Sequence, residues 1–516
     1  MKYFCMLAIM VPILYTGTAS AQQASWHVDN ALATGNNDGT SWANAWRSFS
    51  AINWTNVQPG DTIYISGGTT SQTYSELVTV GKSGTSGNPI TITIDAANSS
   101  HNGTVIFNYN PCGNSCTSTG LTINQNYIVL SGDVGGNNHI QINNIHNTST
   151  SRASVGIGGS NNIGVVIDHV TFINDNNPMR FDYANGVTVH DCTITQVTGD
   201  AAIAMNASTG AFGNNLIDNN YIEPNMNASV GGPDGIQGGS GISIYNNTIR
   251  EIINTGMTSS QQHPDMMQIQ GNYIKVYGNS FVNAGDSTFD YDCWANATPH
   301  DIWIYNNIFR MTAVSGLGYP EAFRMYCSSG VLSSVSNVKI VNNDFVDSGL
   351  DYYLIRFDYF NGNPTGVGNE IKNNIFYNVG GGANFPVFHI GNSTAFTSSS
   401  FAFDGNVYYQ SGQTQYISYR GTSYTAANWI AAHEPKGKSG QAPLFTSYTE
   451  FAEANDYHLS RSDSVALDAG LDLSAYFSGD KDGVIRPQGS GWDIGPYEFS
   501  AGSAPAPPTG LTATVQ

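Results

Sequence analysis

The chain has 516 residues, of which 11% are charged, with 38 Asp and Glu against 18 Lys and Arg and a formal net charge of −20. That excess of acid argues against nucleic acid and anionic membranes as partners, since both carry the same sign, while it suits cations and neutral glycans. With so few charges, the surface must be built largely from Asn, Ser, Thr and the 57 Gly.

In chain order, Lys2 is followed by an apolar run from Tyr3 to Tyr15 and then by Ala19-Ser20-Ala21, the pattern of a secretory signal cleaved near Ala21. Residues 1–21 are therefore expected to be removed on export to the periplasm or the outside. No later apolar run is long enough for membrane insertion. Residues 22–88, containing NDGTSWANAW and VQPGDTIYISGG, are expected to form an N-terminal cap.

A short phrase then repeats: NLIDNNYI from Asn215, ISIYNNTI from Ile242, IKVYGNSF from Ile274, IWIYNNIF from Ile302, VKIVNNDF from Val338, NEIKNNIF from Asn369 and FAFDGNVY from Phe401. The shared Asn is Asn220, Asn247, Asn279, Asn307, Asn343, Asn374 and Asn406. Weaker copies start at Val165 and Val187, and successive copies start 22 to 36 residues apart, so this is a structural repeat with loops of varied length. Alternation around the third residue is strand-like. The Asn pair suits a sharp bend, because Asn tolerates left-handed backbone, and stacked Asn side chains can bond one another along a stack.

Strand, bend, strand and loop describe one coil of a solenoid whose apolar side is buried only by its neighbours, stacked about 4.8 Å away. Leucine-rich repeats lack a match in Leu spacing, and propeller blades need antiparallel turn signals that are missing here. The fold class expected is all-β, a right-handed parallel β-helix with coils over residues 89–410. Residues 411–500 would form a C-terminal cap and 501–516 a flexible Pro-rich tail. Cys112 and Cys116 are close enough for a local disulfide in an oxidising compartment, Cys293 and Cys327 fall at matching inward positions, and Cys192 replaces the Asn of a bend. No Cys spacing resembles a zinc site.

The stretches NDGTSWANAW and PGDTIYISGG, with the ending from Asp480 to Glu498, resemble the caps of secreted β-helix proteins of the pectin-lyase-like superfamily. The resemblance covers nearly the whole chain and implies a carbohydrate partner. Because that superfamily includes polysaccharide lyases, glycoside hydrolases and non-catalytic adhesins, it implies no single reaction.

A second strand precedes each phrase. Placing its apolar residues inward leaves two outward ladders: Gln237, Gln268, Asp290, Arg324, Arg356, His389, and Gln270, Asp292, Tyr326, Asp358. Loops just upstream add Asp234, His263, Asp265 and Glu321, and Trp294, Tyr326, Tyr359 and Phe360 are candidate sugar platforms. Charge crowded on one face of a charge-poor chain points to a cleft. In the favoured reading, Asp265, Asp290 and Asp292 hold Ca²⁺ through oxygen. Arg324 or Arg356 then grips a uronate carboxylate, and the other Arg or His263 removes the proton, giving β-elimination. Gln237, Gln268, Glu321, Tyr326, Asp358, His389 and Trp294 would line the substrate.

The alternative is hydrolysis by paired carboxylates. Asp292 and Asp358, two coils or about 10 Å apart, lie near inverting distance, and Asp265 with Asp290 near retaining distance. A third reading is a non-catalytic glycan-binding solenoid. In all three the protein is a monomer that meets a polysaccharide. Lys275 and Lys339 are read as solvated, and His169, His190, Asp29 and Asp38 as turn residues.

Overall fold

A computed structural model describes residues 23–109, 119–144, 153–157, 163–197, 199, 201–207, 213–223, 234–252, 264–292, 298–310, 321–326, 333–348, 353–358, 365–379, 386–391, 396–450, 452 and 454–500. The expected signal and tail, and Cys112, Cys116, Cys293 and Cys327, lie outside these residues.

Among the described residues, three long sheets of parallel-stacked strands, one of 14 strands and two of 13, run along the solenoid. Successive strands visit them in a fixed order. Asp234–Gly238 lies in the third sheet, Ile242–Tyr245 in the first and Thr248–Ile252 in the second. Met267–Ile269 then returns to the third sheet and pairs in parallel with Asp234–Gly238. This is the expected parallel β-helix.

Alternation along each strand decides what faces inward. Ile217, Ile244, Val276, Ile304, Ile340, Ile371 and Phe403 stack in register inside the first sheet. Inside the second, Phe281, Phe309, Phe345, Phe376 and Tyr408 stack with ring centroids 4.7–5.2 Å apart, spacing at which each pair adds about 0.5–1.5 kcal/mol beyond its area.

The Asn pair between these sheets divides two tasks. Its first member makes the bend: Asn219, Asn246, Asn306, Asn342 and Asn373 all have φ of 52–55°, and Gly278 and Gly405 serve in the other two copies. The second member turns inward and builds a ladder. Asn247 Oδ1 accepts from both the backbone N and the Nδ2 of Asn220. The same pair of bonds repeats through Asn279, Asn307, Asn343, Asn374 and Asn406 at 2.9–3.1 Å. It ends on buried Glu434, which accepts from Asn406 Nδ2 at 3.1 Å and from Tyr408 Oη and Trp429 Nε1 at 2.6 Å each. At its other end stands Cys192, buried and free, whose backbone N still donates to Asn220 at 2.9 Å.

The first coils run through the segment read as an N-terminal cap, since Ser25–Val28 and Thr62–Ile65 are the opening strands of the first sheet. Within the segment read as a C-terminal cap, Tyr416–Tyr419 and Lys438–Ser439 extend two sheets, and the helix Ala426–His433 sets Trp429 against Phe388 and Phe403.

The remainder lies along the side of the solenoid, over the Asn bends. Asn306 Nδ2 donates to Gly479 O at 2.8 Å, Asn342 Nδ2 to Gly495 O at 2.9 Å, and Leu471 N to Asn373 Oδ1 at 2.9 Å. Outward Ile308, Val346 and Ile375 pack with Tyr457, Leu459 and Ile494 in a second core. Lys339, expected to be solvated, is only 5% exposed and bonds Glu370 at 2.7 Å, because this flank covers it with the Tyr476 ring. These contacts fall on the first and second sheets.

Candidate functional site

The charged ladder occupies the outer face of the third sheet. Its strands are Asp234–Gly238, Met267–Ile269, Ser287–Asp292, Glu321–Tyr326, Ile355–Asp358 and Phe388–Ile390. Met267, Phe289, Phe323, Ile355 and Phe388 point into the core in register, with Phe289 and Phe323 rings 5.2 Å apart. That inward stack forces the next residue of each strand outward. Gln237, Gln268, Asp290, Arg324, Arg356 and His389 are consecutive partners, as the alignment expected, and the line continues to Ser418. Asp292, Tyr326 and Asp358 are likewise in register. The side chains of Asp292 and Tyr326, and all of His263, Trp294, Tyr359 and Phe360, lie outside the described residues.

The two arginines do not reach out freely. Arg324 donates to Asp290 at 2.8 Å through Nε and to Asp286 at 2.8 Å through Nη1, and its Nη2 is 3.7 Å from Asp265. Burial opposes its charge, but the carboxylates of Asp290, Asp265 and Asp286 outweigh burial and hold its pKa well above the ordinary value. A guanidinium held in this way cannot serve as the proton-abstracting base, so that expectation for Arg324 is corrected. Asp265 and Asp290, two of the three carboxylates expected to hold Ca²⁺, stand here around a cation of the chain itself.

Arg356 bridges two different carboxylates. Its Nη1 donates to Glu321 at 3.0 Å, and its Nη2 lies 3.6 Å from Asp358. The Tyr353 ring lies beneath the guanidinium at 5.2 Å. Glu321 is fully buried, and burial pushes its pKa up to about 8 against the opposing pull of Arg356 and Arg324. The Asp358 side chain is 26% exposed and stands 3.3 Å from His389 Nε2, while His389 Nδ1 lies 3.0 Å from Ser418 Oγ. One guanidinium thus holds two carboxylates in opposite environments.

Asp234 and Asp265 contribute structure as well as charge. Asp234 accepts from the backbone N of Asp265 at 3.0 Å and from Gln237 at 2.9 Å, and Asp265 accepts from Ser287 N at 2.8 Å. Asp286 and Tyr353 are members of the site that the residue patterns did not single out. The signal for Asp286 was present, since four successive third-sheet strands carry an acid at their upstream end: Asp234, Asp265, Asp286 and Glu321.

No family model matches this chain, and no curated protein is similar to it. Among solved structures it is similar to XylC, described in complex with xylose, at a TM-score of 0.53 and 10% identity over 92% of this chain and 98% of that one. It is also similar to the pectate lyase Pel9A, with a TM-score of 0.48 and 14% identity over 93% and 97% of the two chains. A third similar structure is the alginate lyase AlyGC, with a TM-score of 0.43 and 15% identity over 82% and 60%. At such identities the likeness is one of fold alone: the chain is a parallel β-helix.

Proposed function

We propose that this protein is a carbohydrate-active enzyme that hydrolyses a glycan laid along the outer face of the third sheet. Glu321 would act as the acid and Asp358 as the base. The observation that carries this reading is the shared guanidinium of Arg356, which donates to a buried carboxyl at 3.0 Å and stands 3.6 Å from an open one, the kind of paired carboxyls a glycosidase uses. Two carboxyls whose surroundings drive their proton affinities apart are the requirement for dividing acid from base. At neutral pH Glu321 retains its proton, and because it is fully buried the Arg356 side chain must shift for that proton to reach the departing sugar oxygen. Asp358, backed by His389 and Arg356, takes a proton from the attacking water, and the glycosidic C–O bond breaks as the new one forms.

Charge favours a neutral glycan over the uronate first expected. Among the described residues, Asp234, Asp265, Asp286, Asp290, Glu321 and Asp358 surround only Arg324, Arg356 and His389, and both arginines already have carboxylate partners.

The test is incubation with a panel of neutral and acidic glycans. The expected product is new reducing ends without the ultraviolet absorbance of an unsaturated uronate. Glu321→Gln and Asp358→Asn should each lower kcat by about 10²–10⁴-fold with an unchanged far-UV spectrum. Unsaturated products would establish elimination instead, and binding without cleavage would establish an adhesive solenoid.

A further inference from the structure

Positive φ recurs at both corners of the first sheet. At the downstream corner it falls on the Asn or Gly of the bends, and on His169 at 50° and Asp191 at 48°. The sequence reading of His169 as a bend residue therefore holds, whereas His190 is the last residue of its strand. At the upstream corner it falls on the residue before each repeated phrase. From the copy at Val165 to the copy at Asn369 these are Gly164, Gly186, Asn214, Gly241, Tyr273, Asp301, Asn337 and Gly368.

Gly, Asn and Asp enter this backbone region readily, and Tyr does not. Tyr273 nevertheless holds φ of 60°, and an outlier of this kind points to a functional position. Its side chain is not buried in return. Tyr273 is 41% exposed, and no other Phe, Tyr or Trp among the described residues is so open. The other tyrosine at this corner, Tyr127 at φ of 54°, lies instead against Gly164 of the next coil.

Tyr273 lines a cleft of about 390 Å³ on the outer face of the first sheet, within the roughly 300–1,000 Å³ of small-molecule sites. We infer that this cleft binds a segment of a neutral saccharide chain, as a second, non-catalytic glycan site; the inference rests on the reading of the partner as a neutral glycan.

A sugar ring offers an apolar face and a rim of hydroxyls, and the cleft has a counterpart for each. Ser243, Lys275 and Trp303 are consecutive partners on three strands, so they emerge side by side. Trp303 is half-buried and packs on Tyr476 of the flank at 5.7 Å, while the Tyr273 ring meets His300 edge to face at 4.9 Å. Two aromatic rings fixed in this way give apolar contact at little cost in side-chain entropy.

The flank ends at this edge. It covers Lys339, the next residue of the row, and leaves Lys275 exposed, as the sequence reading had it. The Lys275 ammonium stands 5.3 Å from the centre of the Trp303 ring and has no carboxylate partner among the described residues, so its donors are available to hydroxyls. Asp301, held by Asn337 Nδ2 and 2.8 Å from His300 Nδ1, keeps 35% of its side chain open as an acceptor. One ammonium and one carboxylate balance, which suits a neutral chain over an acidic one.

The experiment is calorimetric titration of the full chain carrying Asp358→Asn, so that nothing is cleaved. The probes are hexasaccharides of β-1,4-linked glucose, xylose and mannose, with a galacturonate hexasaccharide as the acidic arm. At least one neutral probe should bind at a site that Tyr273→Gly weakens about 10-fold or more and that Tyr273→Phe, which keeps the ring, leaves intact. The melting temperature of Tyr273→Gly should be unchanged or higher, because Gly relieves the positive φ. Binding of none of the neutral probes, equal binding by Tyr273→Gly, or preference for the acidic probe would overturn the inference. So would a lower melting temperature in Tyr273→Gly, since the ring would then serve the fold. Tyr273-dependent binding in a chain that cleaves no glycan would keep this site and remove the roles of Glu321 and Asp358, and cleavage without such binding would do the reverse.

Discussion

Glu321 gives one oxygen to Arg356 and leaves the other buried without a hydrogen bond, and the consequence is measurable without any substrate. Its pKa is about 8 in the folded chain and about 4.3 when unfolded. Between those values the native state binds more protons than the unfolded one, so stability falls as pH rises. The contribution is complete below the unfolded value and is lost as pH climbs through about 8. Glu321→Gln has no such proton. Urea melts at a series of pH values should therefore show wild type losing ground to this variant across the window, by at most about 1.4 kcal/mol per pH unit. Parallel curves would mean that Glu321 is ionised when folded and is no acid.

At this scale the sequence showed which residues share the face, because register follows from the inward aromatics. It did not show what they do there. Arg324 was read as a substrate clamp or base, but its three carboxylates come from two neighbouring coils, and only the folded chain brings Asp265, Asp286 and Asp290 to one guanidinium.

The repeated phrase is the element whose meaning was most legible, since an Asn recurring at one place in strand-like surroundings has few structural uses. What the pattern could not separate was the two members of the pair. Both are Asn, yet Asn246 is exposed at φ 55° while Asn247 is 1% exposed and fully engaged. Asn247→Ala would strip the acceptor from the N and Nδ2 of Asn220 and the donor from Ile217 O and Tyr245 O. With about 1–3 kcal/mol for each buried group left unsatisfied, the loss should reach roughly 3 kcal/mol or more. Asn246→Gly keeps the bend and should change stability by only a few tenths of a kcal/mol, because Gly accepts positive φ without strain. Equal losses in thermal melts would mean that the ladder contributes no more than the bend.

For the whole molecule, the informative departure is residues 441–499. Solenoid ends need covering, and on that ground the stretch was read as a cap. The apolar residues that recruit it to the side instead, Ile308, Val346 and Ile375, sit in the same strands as the interior Phe309, Phe345 and Phe376. Buried on both faces, such strands read as continuous apolar runs, and nothing in the pattern says which segment covers the second face.

Arg486 holds this flank together. It is buried, and it donates to Glu498 at 2.9 Å, Asp493 O at 3.1 Å and Gly495 O at 2.9 Å, next to the residues that bond Asn342 and Asn373. Arg486→Ala leaves Glu498 a buried charge without its cation, at a cost of about 3–5 kcal/mol. That cost falls on the flank, because the coils beneath keep their own ladder and aromatic stacks. Limited proteolysis should then cut within 441–499 while the β-sheet signal in far-UV circular dichroism persists. Glycan cleavage should survive the cut, since the flank's contacts fall on the first and second sheets and the site lies on the third. Activity lost in step with the flank would mean that the working face is not the one bearing Arg356, Glu321 and Asp358.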